Sequence, residues 1–274
     1  MLTKVEVRKP QGDLLTLTLD DPSDGYVVAE ITGLDPVKAT LVSSSFANLD
    51  GEQYQSARRE KRNIVFTVEL VPEFADDATV SGLRNALYSF FMPKNLVNLR
   101  FFTDDGLEVN IAGIVESCES AMFTDQPQVV ISIVNFDPDF TSTTETTFSG
   151  STVSDATEAT IDYPGSVEAG YVLVLHVDRS VSDFTIYHRV PDGTLYSLQF
   201  SAALVADDEL TISTVRGDKY ATLVRLSTTT SVLFAVSAQS NWTELQPGEN
   251  GFRVYASGDP IDFDLTYTSR YGAL

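Results

Sequence analysis

The stretch LDGEQYQSARREKRNIVFTVELVPEFADDATVSGLRNALYSFF, residues 49–91, decides the first half of this chain. Asp50-Gly51 is a turn pair. A polar, basic segment follows, carrying Arg58, Arg59, Lys61 and Arg62. From Ile64 to Leu70 the even positions (Ile64, Phe66, Val68, Leu70) share one face and Val65, Thr67 and Glu69 the other, which is a strand with one strongly apolar face. After a Pro-containing break, Val80, Leu83, Leu87, Phe90 and Phe91 recur at helical spacing. The spacing predicts one helix over Asp77–Phe91, capped by the Asp76 or Asp77 carboxylate and ended by Pro93. Its apolar stripe is core packing, so the helix should cover one face of a sheet.

Upstream, Thr3–Arg8, Leu14–Leu19 and Tyr26–Ile31 alternate apolar and polar residues, and Lys38–Phe46 is a Ser/Thr-rich segment with the same period. Turn-forming clusters at Pro10–Asp13, Asp20–Gly25 and Gly33–Pro36 separate them. Downstream, Leu99–Thr103 and Leu107–Cys118 flank Asp104-Asp105-Gly106 and read as a hairpin. Gln128–Asn135 (QVVISIVN) is a nearly continuous β-branched run, the pattern of a central strand. Residues 141–158 are rich in Ser, Thr and Gly with few large apolar side chains, so we expect a linker there, between a domain at 1–140 and one at 159–274.

The second half reads as strands alone: Ala159–Tyr163, Tyr171–Val177, Phe184–Arg189, Leu195–Phe200, Leu210–Val215, Tyr220–Leu226, Val232–Val236, Gly251–Tyr255 and Ile261–Tyr267. Turn signals at Pro164-Gly165, Pro191-Asp192-Gly193 and Pro247-Gly248 break them up. Period-2 alternation at this spacing predicts a β-sandwich.

Composition narrows the function classes. The 274 residues are 43% hydrophobic, enough for packed cores, and carry a net charge of −21. Such an acidic chain is not expected to grip nucleic acid or an anionic membrane. No run of apolar residues is long enough for a transmembrane helix. Met1-Leu2-Thr3-Lys4-Val5-Glu6 alternates instead of showing a cationic and then an apolar region, so no signal peptide is expected. Cys118, the single cysteine, reads as a small, half-buried hydrophobe.

No catalytic constellation emerges. The carboxylates a glycosidase would need are abundant, but they lie mainly in loops (Asp20, Asp21, Asp104, Asp105, Asp207, Asp208). His176 and His188 sit on consecutive predicted strands without a nucleophile elbow and read as ordinary strand residues. Asp20-Asp21-Asp24 and Asp104-Asp105 could hold calcium by composition, but solvated turns explain them. There is no Cys/His cluster and no phosphate loop. Asn241-Trp242-Thr243 matches a glycosylation acceptor, discounted without a secretion signal. We therefore expect no enzyme activity, no cofactor and no metal. The basic cluster Arg58, Arg59, Lys61 and Arg62 stands out against an acidic chain. It is either a solvated hairpin arm or a subunit interface, in which the arm meets an acidic face of an identical neighbour and head-to-tail repetition closes a ring.

The ending from Trp242 to Leu274 resembles the close of distal tail proteins of long-tailed phages. The matching features are Trp242, the turn Leu245-Gln246-Pro247-Gly248-Glu249-Asn250, a final strand at Ile261–Thr268, and Arg270-Tyr271-Gly272-Ala273-Leu274. Leu210–Thr214 looks like that family's penultimate hairpin. Leu49-Asp50-Gly51, Arg62-Asn63-Ile64 and the helix before Pro93 fit its N-terminal domain. The resemblance implies a mainly β chain of two domains: a tail-tube-like β-sandwich with one helix and an extended hairpin arm, then a galectin-like or carbohydrate-module-like β-sandwich. It also implies a ring, usually of six copies, that joins the tail tube protein to the tip or baseplate. Hub and receptor-binding proteins would dock on it, and DNA would pass through the channel without specific binding. Its place would be the tail tip of the virion, after assembly in the host cytoplasm, with no membrane contact.

Two rival readings remain. A carbohydrate-binding or adhesin module predicts an exposed aromatic row in the second domain, drawn from Tyr171, Tyr187, Tyr196 and Tyr267. A glycosidase predicts one indispensable carboxylate. A galectin-like fold does not carry lectin function by itself, and Trp242 reads as packing.

Overall fold

The computed structural model describes residues 1–19, 21, 24–47, 50–75, 78–121 and 125–274. It divides into two compact units, Met1–Thr143 with Gly272–Leu274, and Thr144–Tyr271.

The first unit opens with β1 (Leu2–Arg8), β2 (Leu14–Thr18), β3 (Tyr26–Thr32), β4 (Ala39–Ser44), β5 (Gln53–Arg59) and β6 (Arg62–Leu70). Next come α1 (Val80–Phe90), β7 (Leu96–Thr103), β8 (Glu108–Ser120), β9 (Gln128–Asn135) and the start of β10 (Phe140–Ser151), most of which belongs to the second unit. β6 lies between β3 and β9, both antiparallel to it. β9 continues to β8, then β7, β1 and β2. The predicted alternation of β6 is the observed one: Ile64, Phe66, Val68 and Leu70 are buried. Phe66 stacks on Phe101 of β7, and Phe101 meets Phe140 edge to face, a geometry favoured by the ring quadrupole.

The helix covers this core with Leu83 and Leu87, and Phe91 just past its end is fully buried. It starts three residues later than expected. Thr79 is its N-cap, accepting a hydrogen bond from the Gly82 N–H at 3.1 Å; the expected caps Asp76 and Asp77 lie outside the described residues. The Tyr26 hydroxyl donates to the Leu83 carbonyl at 3.1 Å. Gly25 permits that approach: a Cβ there would stand 2.9 Å from a Leu83 methyl, and its φ is +81°, a region few side chains tolerate.

Residues 141–158 differ from the expected linker, because most of β10 lies in them. Thr141 and Ser142 pair with Asn110 and Val109 of β8. Further along, the Ser149 and Ser151 hydroxyls donate to Asp264 and Asp262. Hydroxyl side chains hold this strand where large apolar ones would be expected, and β-branched Thr suits the extended backbone.

The second unit adds β11 (Ala159–Tyr163), β12 (Tyr171–Val177), β13 (Val181–Arg189), β14 (Leu195–Leu204) and β15 (Asp208–Ser213). It continues with β16 (Tyr220–Arg225), β17 (Thr228–Ser231), β18 (Gly248–Tyr255) and β19 (Asp262–Tyr271). One sheet runs β17-β16-β15-β12-β19-β10, the other β11-β18-β13-β14. Leu173, Leu175, Leu210, Ile212 and Leu265 from the first meet Phe184, Ile186, Leu198, Phe200, Phe252 and Val254 from the second in one core, which is the predicted sandwich. The expected strand Val232–Val236 is instead a 3-10 turn at Leu233–Ala235. Val232 and Ala235 are buried while Leu233 and Phe234 are exposed, a spacing of three that matches 3-10 geometry, not the strand period.

Candidate assembly interface

β4 and β5 form a two-stranded sheet of their own. Every residue of β5 is exposed, and so are most of β4. Leu41 is 68% exposed and Tyr54 64%, so neither face of the hairpin is covered within the protomer. An isolated two-stranded hairpin is marginally stable in water. The arm is held by its ladder, by the Glu60 N–H donating to the Lys38 carbonyl at 2.9 Å, and by Thr40 donating to Glu60 at 2.6 Å.

The structure separates the four basic residues. Arg58 is exposed on β5, opposite Thr40, and Lys61 is exposed at the base of the arm. Arg59 grips the buried Asp139 with both terminal nitrogens, Nη2 at 2.8 Å, a bidentate and charge-assisted contact. This pair anchors the arm to the body of its unit.

Arg62 corrects the expected interface: it is 1% exposed and belongs to the core. Its Nε donates to the Pro138 carbonyl at 2.7 Å. Nη1 donates to the carbonyls of Gly33 and Asp35, and Nη2 to that of Gly272 at 2.6 Å. The guanidinium also lies 4.4 Å from the Phe140 ring centroid. Gly33 is demanded here, since a Cβ would stand 2.0 Å from the Asn63 carbonyl oxygen. The signal was present in the sequence: position 62 shares the parity of Ile64, Phe66, Val68 and Leu70, so extending β6 backwards by two residues turns Arg62 inward.

In the second unit the Pro-Gly-x-Asn turn is explained by Asn250, which is fully buried. Its Nδ2 donates to the carbonyls of Gln246 and Gly248, and its Oδ1 accepts from the Gln246 N–H. That orientation makes Oδ1 an acceptor for His188 Nε2, 2.9 Å away. Nε2 therefore carries a proton and donates to Oδ1, while Nδ1 is hydrogen-bonded with the Thr243 hydroxyl at 2.9 Å. Burial pushes His188 below the ordinary imidazole range, against a smaller upward pull from Asn250.

The remaining candidates for chemistry resolve into structure. His176 is exposed and contacts Asp264 at 3.1 Å; His188 lies in the other sheet. Burial pushes the half-buried Cys118 thiol up to about 11, away from the reactive thiolate. Asp105 closes its own turn by accepting from the Leu107 N–H at 3.4 Å. Asp208 is buried and bound by Arg225. Asp20 of the proposed acidic loop lies outside the described residues. Among the described residues no three His, Cys, Asp or Glu side chains are grouped to hold a metal ion, and no helix is long and apolar enough to cross a membrane. The expected aromatic row is broken: Tyr171 and Tyr267 are buried cross-strand partners, and Arg253 covers Tyr187 at 4.1 Å.

Residues 164–271 match the family model of the siphovirus-type tail component, C-terminal domain. The fold as a whole is similar to the crystal structure of phage SPP1 Dit, described as a paradigm of the hub adsorption apparatus in phages infecting Gram-positive bacteria. The TM-score is 0.68 with 14% identity, covering 97% of this chain and 98% of that one. A chain of the phage P2 baseplate in its calcium-activated conformation also aligns, at TM-score 0.45 and 11% identity over the full length of both chains. No curated protein matches the sequence. Residues 164–271 thus match the tail-component C-terminal domain, and the chain as a whole shares the fold of SPP1 Dit.

Proposed function

We propose that this protein forms a homo-oligomeric ring, of six copies by resemblance, at the distal end of a phage tail. The ring joins the tail tube protein to the tip or baseplate and surrounds the DNA channel. Residues 1–140 build the ring, and residues 159–274 serve as the attachment domain for hub and receptor-binding proteins. Assembly takes place in the host cytoplasm and the product is a part of the virion. The observation that carries this reading is the uncovered β4–β5 arm, with both faces solvated in the protomer and Arg58 and Lys61 exposed on a chain of net charge −21. A neighbouring copy with an acidic face supplies the missing partner surface, and a head-to-tail contact of this kind closes into a ring. The negative charge of the chain also suits a channel through which DNA slides without being held.

Light scattering on a sizing column tests this at two salt concentrations. Wild-type protein should give a discrete ring-sized species that loses mass as salt rises, because exposed charges are screened beyond about 10 Å at 0.1 M salt. The double reversal R58E/K61E should shift the population towards monomer with unchanged circular dichroism. Arg59 and Arg62 are left intact, since altering them would disturb the fold. An unchanged ring in the double variant removes the arm from the interface. A protomer that stays monomeric even when mixed with tail tube protein overturns the ring itself.

A further inference from the structure

The second unit holds a groove of about 490 Å³ that is lined by residues of that unit alone. Its floor is the segment following the 3-10 turn, fixed to β14 and to the stretch just before β12. The Ser237 N–H donates to the Gln199 carbonyl, the Asn241 N–H to the Ser197 carbonyl, and the Leu245 N–H to the Ala169 carbonyl. Thr243 is held by His188. The groove is therefore formed before any ligand arrives. Trp242, the single tryptophan of the chain, packs partly on the core and lines the groove together with Tyr196 of β14.

The charged groups here neutralise one another. Arg216 bridges Glu168 at 3.3 Å and Glu244 at 3.1 Å, and Lys219 also lines the groove, so two cationic side chains stand with two carboxylates. In a chain of net charge −21 this is a locally neutral site. An anion would meet the two carboxylates, and a cation the Arg and Lys. Two lining carboxamides, Asn241 and Gln246, together with the Tyr196 hydroxyl and the Trp242 indole N–H, make no side-chain hydrogen bond among the described residues. Concave sites with aromatic walls and a few convergent polar groups are the usual form of small-ligand pockets. The ligand matching this set has an apolar face for an aromatic ring, a rim of neutral donors and acceptors, and no net charge.

We propose that this groove binds a neutral saccharide unit. Trp242 and Tyr196 pack against the C–H face of the sugar ring, and Asn241, Gln246 and Lys219 hydrogen-bond its hydroxyls. The site uses none of the arm residues.

Because Trp242 is the only tryptophan, its emission reports on this groove alone. The full chain is titrated with glucose, galactose, N-acetylglucosamine, maltotriose and chitotriose, with glucuronate and glycerol 3-phosphate as anionic probes. Iodide quenching checks that Trp242 is reachable. The expected result is a saturable emission change with at least one neutral sugar, at a dissociation constant on the order of 1 mM. N241A and Q246A should each weaken binding about threefold or more, the size of one neutral hydrogen bond, with melting temperature unchanged. No saturable response to any neutral sugar overturns the proposal. So does a response to the anions alone, or a sugar response that neither variant weakens.

Discussion

Replacing Arg62 tests whether a buried cation organises the first unit. Arg62→Ala removes four donated hydrogen bonds, to the carbonyls of Pro138, Gly33, Asp35 and Gly272. A buried acceptor left without a partner costs about 1–3 kcal/mol, so four at the low end cost about 4–6 kcal/mol. Loss of the contact with the Phe140 ring adds about 1 kcal/mol. Against this, the protein no longer desolvates a guanidinium, which returns roughly 2 kcal/mol or more. The net destabilisation is roughly 4 kcal/mol, and at ~2–4 °C per kcal/mol for a unit of this size the melting temperature falls by roughly 10 °C. Arg62→Met keeps most of the apolar stem and none of the donors, so it should behave like Arg62→Ala. Arg62→Lys offers a compact ammonium in place of the fork and should lose roughly 2 kcal/mol. Far-UV circular dichroism follows urea unfolding of both units, while Trp242 fluorescence follows the second unit alone. The dichroism midpoint should fall and the fluorescence midpoint should hold. The reasoning is refuted if Arg62→Met matches wild type, or if Arg62→Ala shifts the midpoint no more than the exposed control Arg58→Ala, expected within about 0.5 kcal/mol.

Thr79→Ala removes the helix cap on Gly82 and should cost about 1 kcal/mol in urea unfolding, with Thr79→Ser near wild type. Asn250→Ala leaves the turn carbonyls and His188 Nε2 unpaired, so Trp242 fluorescence should report a second unit weakened by roughly 3 kcal/mol. His188 has an ordinary value of 6.5 that burial lowers in the fold. Its contribution is therefore complete above pH 6.5 and is lost as pH falls below it, since the unfolded chain takes up the proton first. Denaturation midpoints from pH 8 to pH 5 should show this loss, and His188→Gln should flatten it. The Asp208 carboxylate, held below its ordinary 3.8 mainly by hydrogen bonding to Arg225, keeps its contribution above that value and loses it in more acid solution. Asp208→Asn should remove that lower step from the acid-unfolding curve.

The period of two along Ile64–Leu70, Gln128–Asn135 and the strands of the second half was legible because one face of each strand is buried and the other is not. The helix was legible from the spacing of Leu83, Leu87 and Phe91. β10 was not, because hydroxyl–carboxylate contacts across strands hold it, and these leave no apolar period. The turn at Leu233–Ala235 was misread because five consecutive apolar or small residues suit a strand as well as a 3-10 turn. The basic cluster was legible as composition, but its division was not: β6 turns Arg62 inward, Asp139 takes Arg59, and Arg58 and Lys61 remain outside.

What the sequence determined by itself is the mainly β class, the strand faces and the turn positions, because these follow from local periods and backbone preferences. The tertiary structure decided which polar residues are interior, because a buried Arg62, Asn250 or His188 is tolerated only where distant segments bring carbonyls and hydroxyls to it. The partners of Arg62 come from positions 33, 35, 138 and 272, and no window of sequence contains them all. The groove beside Trp242 is likewise assembled from β14, the segment before β18 and the loop after β15, so its chemistry exists only once the sheets have closed.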